Sequence, residues 1–248
     1  MMSHIWYTLF KDSHMVQMNL HNYLYSVLLI SLIYISKANA QTNIGIDAGV
    51  TNNSLSFYAS NTNLILKSRQ GYLTNISINH ILNKWLCLEA GPGVIQKNYS
   101  ITNTTEIYQN INNTYLNFPV SMKVTLKAVN RINFNGSIGG YYSYWIASMI
   151  NGIAPNVFEL SSNSEGFESI KLETIKDDHS FTKQDNRKEW GWVAKLALDY
   201  RIVNSIYSSI KLHYYGSLSD QQKLVTGFQT PRYNKTSAIS VGIYQIFN

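Results

Sequence analysis

Tyr115-Leu116-Asn117-Phe118-Pro119-Val120-Ser121-Met122-Lys123-Val124-Thr125-Leu126 places Leu116, Phe118, Val120, Met122, Val124 and Leu126 at every second position. Between them fall Tyr115, Asn117, Pro119, Ser121, Lys123 and Thr125. Successive side chains of a strand point to opposite faces, so this stretch reads as a β-strand with one apolar and one polar face. It is as long as the ~9–11 residues that a tilted strand needs to cross a membrane.

Seven further segments share the pattern, at 43–50, 72–82, 85–96, 132–145, 190–202, 206–216 and 236–247. In the first, Ile44, Ile46, Ala48 and Val50 oppose Asn43, Gly45, Asp47 and Gly49. In the third, Leu86, Leu88, Ala90 and Val94 oppose Cys87, Glu89, Gly91 and Gly93. The connections alternate. Short turns are expected at 83–84, 128–131 and 203–205, and long loops before 72, at 98–113, at 147–188 and at 220–234. Eight antiparallel strands bring both termini to one side, with every short turn there and every long loop opposite. That is the rhythm of an up-and-down barrel in an outer membrane, with the termini in the periplasm. The 147–188 connection carries Glu159, Glu165, Glu168, Lys171, Glu173, Lys176, Asp177, Asp178 and Lys183, and reads as solvated and mobile.

Composition agrees. Of the 248 residues 45% are hydrophobic and only 14% charged, with Tyr and Trp heavily used. The body of the chain has no run approaching the ~18 apolar residues of a spanning helix. A soluble secreted β-sandwich shares this composition but ordinarily carries more surface charge, and it is the leading alternative on fold. The net charge of +6 has no Lys and Arg interleaved with aromatics, so no nucleic-acid partner is expected. Cys87 is the sole cysteine, so the chain has no internal disulfide.

The N-terminus points to export. Tyr23 to Ile35 is an apolar run of signal-peptide length, and Ala38-Asn39-Ala40 has the small-x-small form that signal peptidase reads. Residues 1–40 are therefore expected to be a helical signal peptide, and 41–248 the barrel domain. Met15 or Met18 would give a more ordinary start. An uncleaved anchor helix is the alternative.

If the apolar faces meet lipid, the lumen receives Asp47, Glu89 and Asp199 with Lys123, Lys195, Arg201, Lys211 and His213. An eight-stranded barrel is just wide enough for side chains to fill, and buried charges require partners. The expectation is a plug of salt bridges, with a narrow pore as the alternative. Pro119 cannot donate to a ladder, which suggests a local bulge. Aromatics near strand ends are expected to form interfacial girdles: Tyr141, Tyr142, Tyr144, Trp145, Trp190, Trp192, Tyr214 and Tyr215 at one end, and Trp85, Tyr200 and Phe247 at the other.

Thr114-Tyr115-Leu116-Asn117-Phe118-Pro119-Val120-Ser121-Met122-Lys123 resembles a signature of the PorT-like outer-membrane β-barrel family, carried by Tyr115, Leu116 and Pro119. Residues 44–50, 191–200 and 240–244 look like that family's first, sixth and last strands. The resemblance implies an eight-stranded barrel in a Gram-negative outer membrane, with outer-membrane lipid and the barrel-assembly machinery as partners. One type of member supports protein secretion. The chain ends one residue beyond the terminal aromatic Phe247, a departure from the pattern that assembly machinery commonly reads.

No catalytic constellation is evident. His179-Ser180 is the only adjacent His/Ser pair in 41–248, and it lies in the acidic connection. No metal-ligand spacing or phosphate loop occurs, so neither a metal nor another cofactor is expected. The role that remains is a structural or interaction scaffold, its outer loops meeting an extracellular or envelope protein partner. A membrane enzyme ranks behind a pore.

Overall fold

The computed structural model describes residues 41–57, 65–103, 107–129, 131–162, 168–223 and 231–247. The signal peptide expected at 1–40 lies outside them. Thr42 to Phe247 makes one compact unit. Its described residues form β1 (Thr42–Phe57), β2 (Ile65–Ile81), β3 (Leu86–Ala90), β4 (Gly93–Gln96), β5 (Tyr99–Thr102), β6 (Tyr108–Val129), β7 (Ile132–Ser162), β8 (Glu168–Asp178), β9 (Lys188–Val203), β10 (Ile206–Ser217) and β11 (Arg232–Phe247).

The pairing is antiparallel throughout and closes on itself. β1 lies between β11 and β2. β2 pairs in succession with β3, β4 and β5, and each of these pairs with β6. The ring continues through β7, β9 and β10 to β11. β8 pairs with β7 and stands off the ring. The register Thr42↔Phe247 and Thr42↔His80 sets both ends of the unit beside the short turns.

The described residues form eleven strands where eight segments were expected, for two physical reasons. The segment 85–96 is cut by Gly91-Pro92 and resumes beyond Lys97-Asn98. Pro92 has no N–H to give a ladder, and its carbonyl accepts the Ile76 N–H at 2.9 Å. Opposite the cut, Phe118 and Pro119 fall between the β3 and β4 pairings of β6, so the two prolines share one gap. No bulge forms at Pro119; the shifts in the β6–β7 ladder fall at Thr114/Tyr115 and Lys127/Val129. The second reason is that strands run on past the apolar belt. The connection 147–188 is not simply a solvated loop, because β7 and β8 form a hairpin within it. Likewise β5 and the start of β6 occupy much of 98–113.

The two faces separate as alternation requires. Ile44, Ile46, Val120, Leu126, Ile138, Leu196 and Val241 are exposed, whereas Asn43, Asp47, Asn75, Ser77, Asn117 and Ser121 are buried. A continuous exposed apolar band on a chain whose polar residues are inside is an interface with something apolar.

Glycine fixes one close approach in this wall. A Cβ on inward Gly139 would stand 2.0 Å from the Val120 carbonyl oxygen, while on outward Gly136 it would meet only Leu196 at 3.9 Å. Gly139→Ala is therefore expected to cost about 1–3 kcal/mol by overpacking, and Gly136→Ala close to nothing. Reversible unfolding of the two variants side by side checks this.

Candidate functional site

The interior is layered. Nearest the short turns, Asp199 accepts from Asn135 Nδ2 at 2.6 Å, Ser209 Oγ at 2.6 Å and the Tyr244 hydroxyl at 2.8 Å, with Lys123 Nζ at 3.6 Å. Next, Lys211 Nζ donates to Asp47 at 2.7 Å, and Lys195 pairs with Glu89. His213 Nε2 lies 2.8 Å from Ser240 Oγ. The structure thus brings together Asp47, Glu89, Lys123, Lys195, Asp199, Lys211 and His213 as buried groups. Arg201 differs. It is only half-buried, near the end of β9, and its N–H donates to the Arg131 carbonyl at 2.8 Å. Charges removed from water need opposite charge and hydrogen bonds together, and the paired groups here have both.

Above these lies an apolar layer of Leu73, Ile95, Tyr115, Tyr141, Trp145, Val193, Tyr215 and Ala238. At its centre sits an ion pair the sequence reading missed, Lys97 with Glu189. Lys97 Nζ stands over three tyrosine rings, 4.6 Å from the Tyr141 centroid, 5.1 Å from Tyr115 and 5.9 Å from Tyr215. The ring quadrupole attracts such a cation, the more so without water. Glu189 also accepts from the Tyr141 hydroxyl at 2.7 Å and Asn234 Nδ2 at 2.6 Å. A signal for both residues existed. Lys97 continues the inward series 87, 89, 91, 93 and 95, and Glu189 begins the series that holds Lys195 and Asp199.

Three expected girdle positions need correction, since Tyr141, Trp145 and Tyr215 are buried in the interior. Trp145 is 6% exposed and stacks on Tyr115 inside the barrel, centroids 5.8 Å apart, so it belongs to the interior layer. Tyr144 keeps the outward parity of Tyr142, half-buried beneath the Arg187 guanidinium at 4.6 Å. Trp85, Tyr142, Trp190, Trp192, Tyr200, Tyr214 and Phe247 are exposed on the outer face. Of the motif residues, Tyr115 and Pro119 point inward and are buried, and Leu116 is half-buried on the outer side.

At the long-loop end the segments 179–187 and 218–223 pair across the mouth. Asn186 N–H donates to the Gln221 carbonyl at 3.0 Å and Lys223 N–H to that of Gln184 at 2.8 Å, around an Asp185–Gln222 bridge. His179 is not the unsupported residue that its loop setting suggested. It stacks on Trp145 at 5.9 Å and lies 3.2 Å from Asp185 Oδ2, which also accepts from the Thr182 N–H at 2.6 Å. Burial pushes the Asp185 carboxyl up, but the Thr182 donors and His179 outweigh it and hold it below the ordinary range. Among the described residues no cluster of His, Cys, Asp and Glu could hold a metal ion.

Residues 38–222 match the family model described as "Outer membrane protein beta-barrel domain". No curated protein sequence matches the chain. Several solved structures are similar in fold. OprG from Pseudomonas aeruginosa is 13% identical at a TM-score of 0.47, over 86% of this chain and 97% of its own. Neisserial surface protein A is 10% identical at 0.45, over 85% and 100%. The outer membrane protease OmpT from Escherichia coli is 8% identical at 0.35, over 84% and 97%. Such distant likeness carries no activity across.

Removing one partner of a buried pair strands the other. Lys195→Met is expected to destabilise the protein by about 3–5 kcal/mol, and the double variant Lys195→Met/Glu89→Leu to recover most of that loss. Denaturant titration in detergent or lipid vesicles, followed by tryptophan fluorescence, measures both.

Proposed function

The chain belongs to the outer membrane protein β-barrel domain family, and from that premise we propose that it is an eight-stave barrel with a filled lumen, serving as a recognition scaffold. The pairing supports counting eight staves, since β3, β4 and β5 share one place between β2 and β6 and β8 stands off the ring. The family places the protein in a Gram-negative outer membrane, in contact with lipid. The three short turns and both ends of the unit then face the periplasm, and the long loops face outward. Within the family we read it as PorT-like, on the Tyr115-Leu116 and Pro119 signature.

One observation carries the functional reading. The interior is occupied at successive levels by paired charges and by the aromatic layer around Lys97 and Glu189. A lumen filled by side chains holds a frame rigid and does not pass solutes. What varies in such a protein is its loop end, where recognition residues ride on a rigid support. The partner is an extracellular or envelope protein, and the barrel-assembly machinery acts on the chain during biogenesis.

The protein is expected to fractionate with the outer membrane, to run at a different gel position when unheated, and to give no stable conductance in planar bilayers. Steady ion-selective currents, abolished by Glu89→Ala in a protein that still folds, would overturn the filled-scaffold reading in favour of a pore. Extraction by carbonate without detergent would overturn the barrel itself.

A further inference from the structure

The mouth of the barrel holds a cavity of about 180 Å³ between the ring strands and the 179–187 and 218–223 segments. Trp145 lines it and stacks on both Tyr115 and His179. One wall is apolar, made by Ile101, Ile111 and Ile150 from β5, β6 and β7. One polar group, Gln109, stands in that same wall as the cross-strand partner of Ile101, and the other wall is polar, with Gln221, Gln222, Asp185 and Arg232.

We propose that this cavity binds a single ring of a neutral sugar, a reading that rests on the recognition role of the loop end. Three features point there. The ionisable groups of the lining are of both signs, the Asp185 carboxylate held against His179 and Arg232 supplying a guanidinium, so no cluster of one charge selects an ion. Gln109 offers two N–H donors and an acceptor, and Gln221 keeps its amide oxygen beyond its bond to Tyr115, which suits neighbouring hydroxyls that both give and take hydrogen bonds. The isoleucine wall suits the C–H face of the same ring. The polar wall is also held in place: Gln221 Nε2 donates to the Tyr115 hydroxyl at 3.0 Å, and Asp185 is fixed by Thr182 and His179. Fixed polar groups opposite an apolar wall are how small-molecule sites set orientation. The cavity opens on the loop side above the aromatic layer, so a free monosaccharide or the terminal ring of a glycan has the same access.

The test is saturation-transfer NMR on the full folded protein in detergent, with glucose, galactose and N-acetylglucosamine as probes, each free and as its methyl glycoside. Leucine serves as the zwitterionic comparison. Saturable millimolar binding of at least one sugar is expected. Equal binding of its glycoside identifies the end of a glycan as the source, and loss with the glycoside identifies a free sugar. Gln109→Ala should weaken binding roughly tenfold, as for one lost hydrogen bond, and the cavity-filling Ile111→Trp should abolish it. Each variant is first checked for the mobility of the folded barrel on unheated gels. A folded barrel that binds none of the sugars, or binds leucine instead, overturns this proposal and leaves the scaffold reading standing. The same holds if a folded Ile111→Trp variant binds sugar undiminished. Conductance overturns the scaffold reading whatever the sugars do.

Discussion

A peptide N–H or C=O in hydrocarbon has no water to bond, so a sheet there must leave no edge. In this chain the ladder between β1 and β11 meets that condition, running from Thr42↔Phe247 to Phe57↔Arg232. Everything else follows from that closure. It sets both ends of the unit on one side, and it divides each ring strand into an outer face and an enclosed one. The enclosed face then has to accommodate whatever side chains the alternation delivers.

The chain delivers mostly polar ones, and this inverts the usual logic of a core. Asp199 is satisfied by three neutral donors as well as Lys123, so its charge is spread over Asn135, Ser209 and Tyr244. Lys97 is stabilised differently, by tyrosine faces and by a Glu189 that is itself held by Tyr141 and Asn234. The network near the short turns and the aromatic layer above it therefore complement each other. The first satisfies charge by hydrogen bonding, and the second excludes water around one ion pair. The mouth meets that upper layer through Trp145, which also lines the loop-side cavity.

The strand from Tyr115 to Leu126 was legible because its outer positions are uniformly apolar, and the same rule located the ring strands and most of the buried charges. It failed where lipid no longer imposes it. β8 and the start of β6 pair their backbones outside the apolar belt, with polar residues on both faces, so periodicity gave no sign of them. Lys97 and Glu189 were lost because the strands were cut at 96 and 190, one residue short of each. Trp145 was misplaced by reading its position along the strand and ignoring parity; with Phe134, Ile138 and Tyr142 outside, the odd-numbered Tyr141 and Trp145 had to point in. The mouth could not have been read at all. It joins residues from β5, β6, β7, β11 and two loop segments, and only the closed ring brings them together.

If the exposed apolar band faces a bilayer, a cation placed on it must cost more at mid-depth than at the edge. Leu196 is 64% exposed midway between Trp192 and Tyr200 on β9, and Leu218 is 53% exposed just beyond the end of β10. Reversible unfolding in lipid vesicles should show Leu196→Arg costing about 2–4 kcal/mol and Leu218→Arg about 0–1 kcal/mol, because the penalty for a cation falls from the bilayer midplane to the interface. Equal small penalties at the two sites would mean that both face water, and the membrane barrel would be the wrong account of this fold.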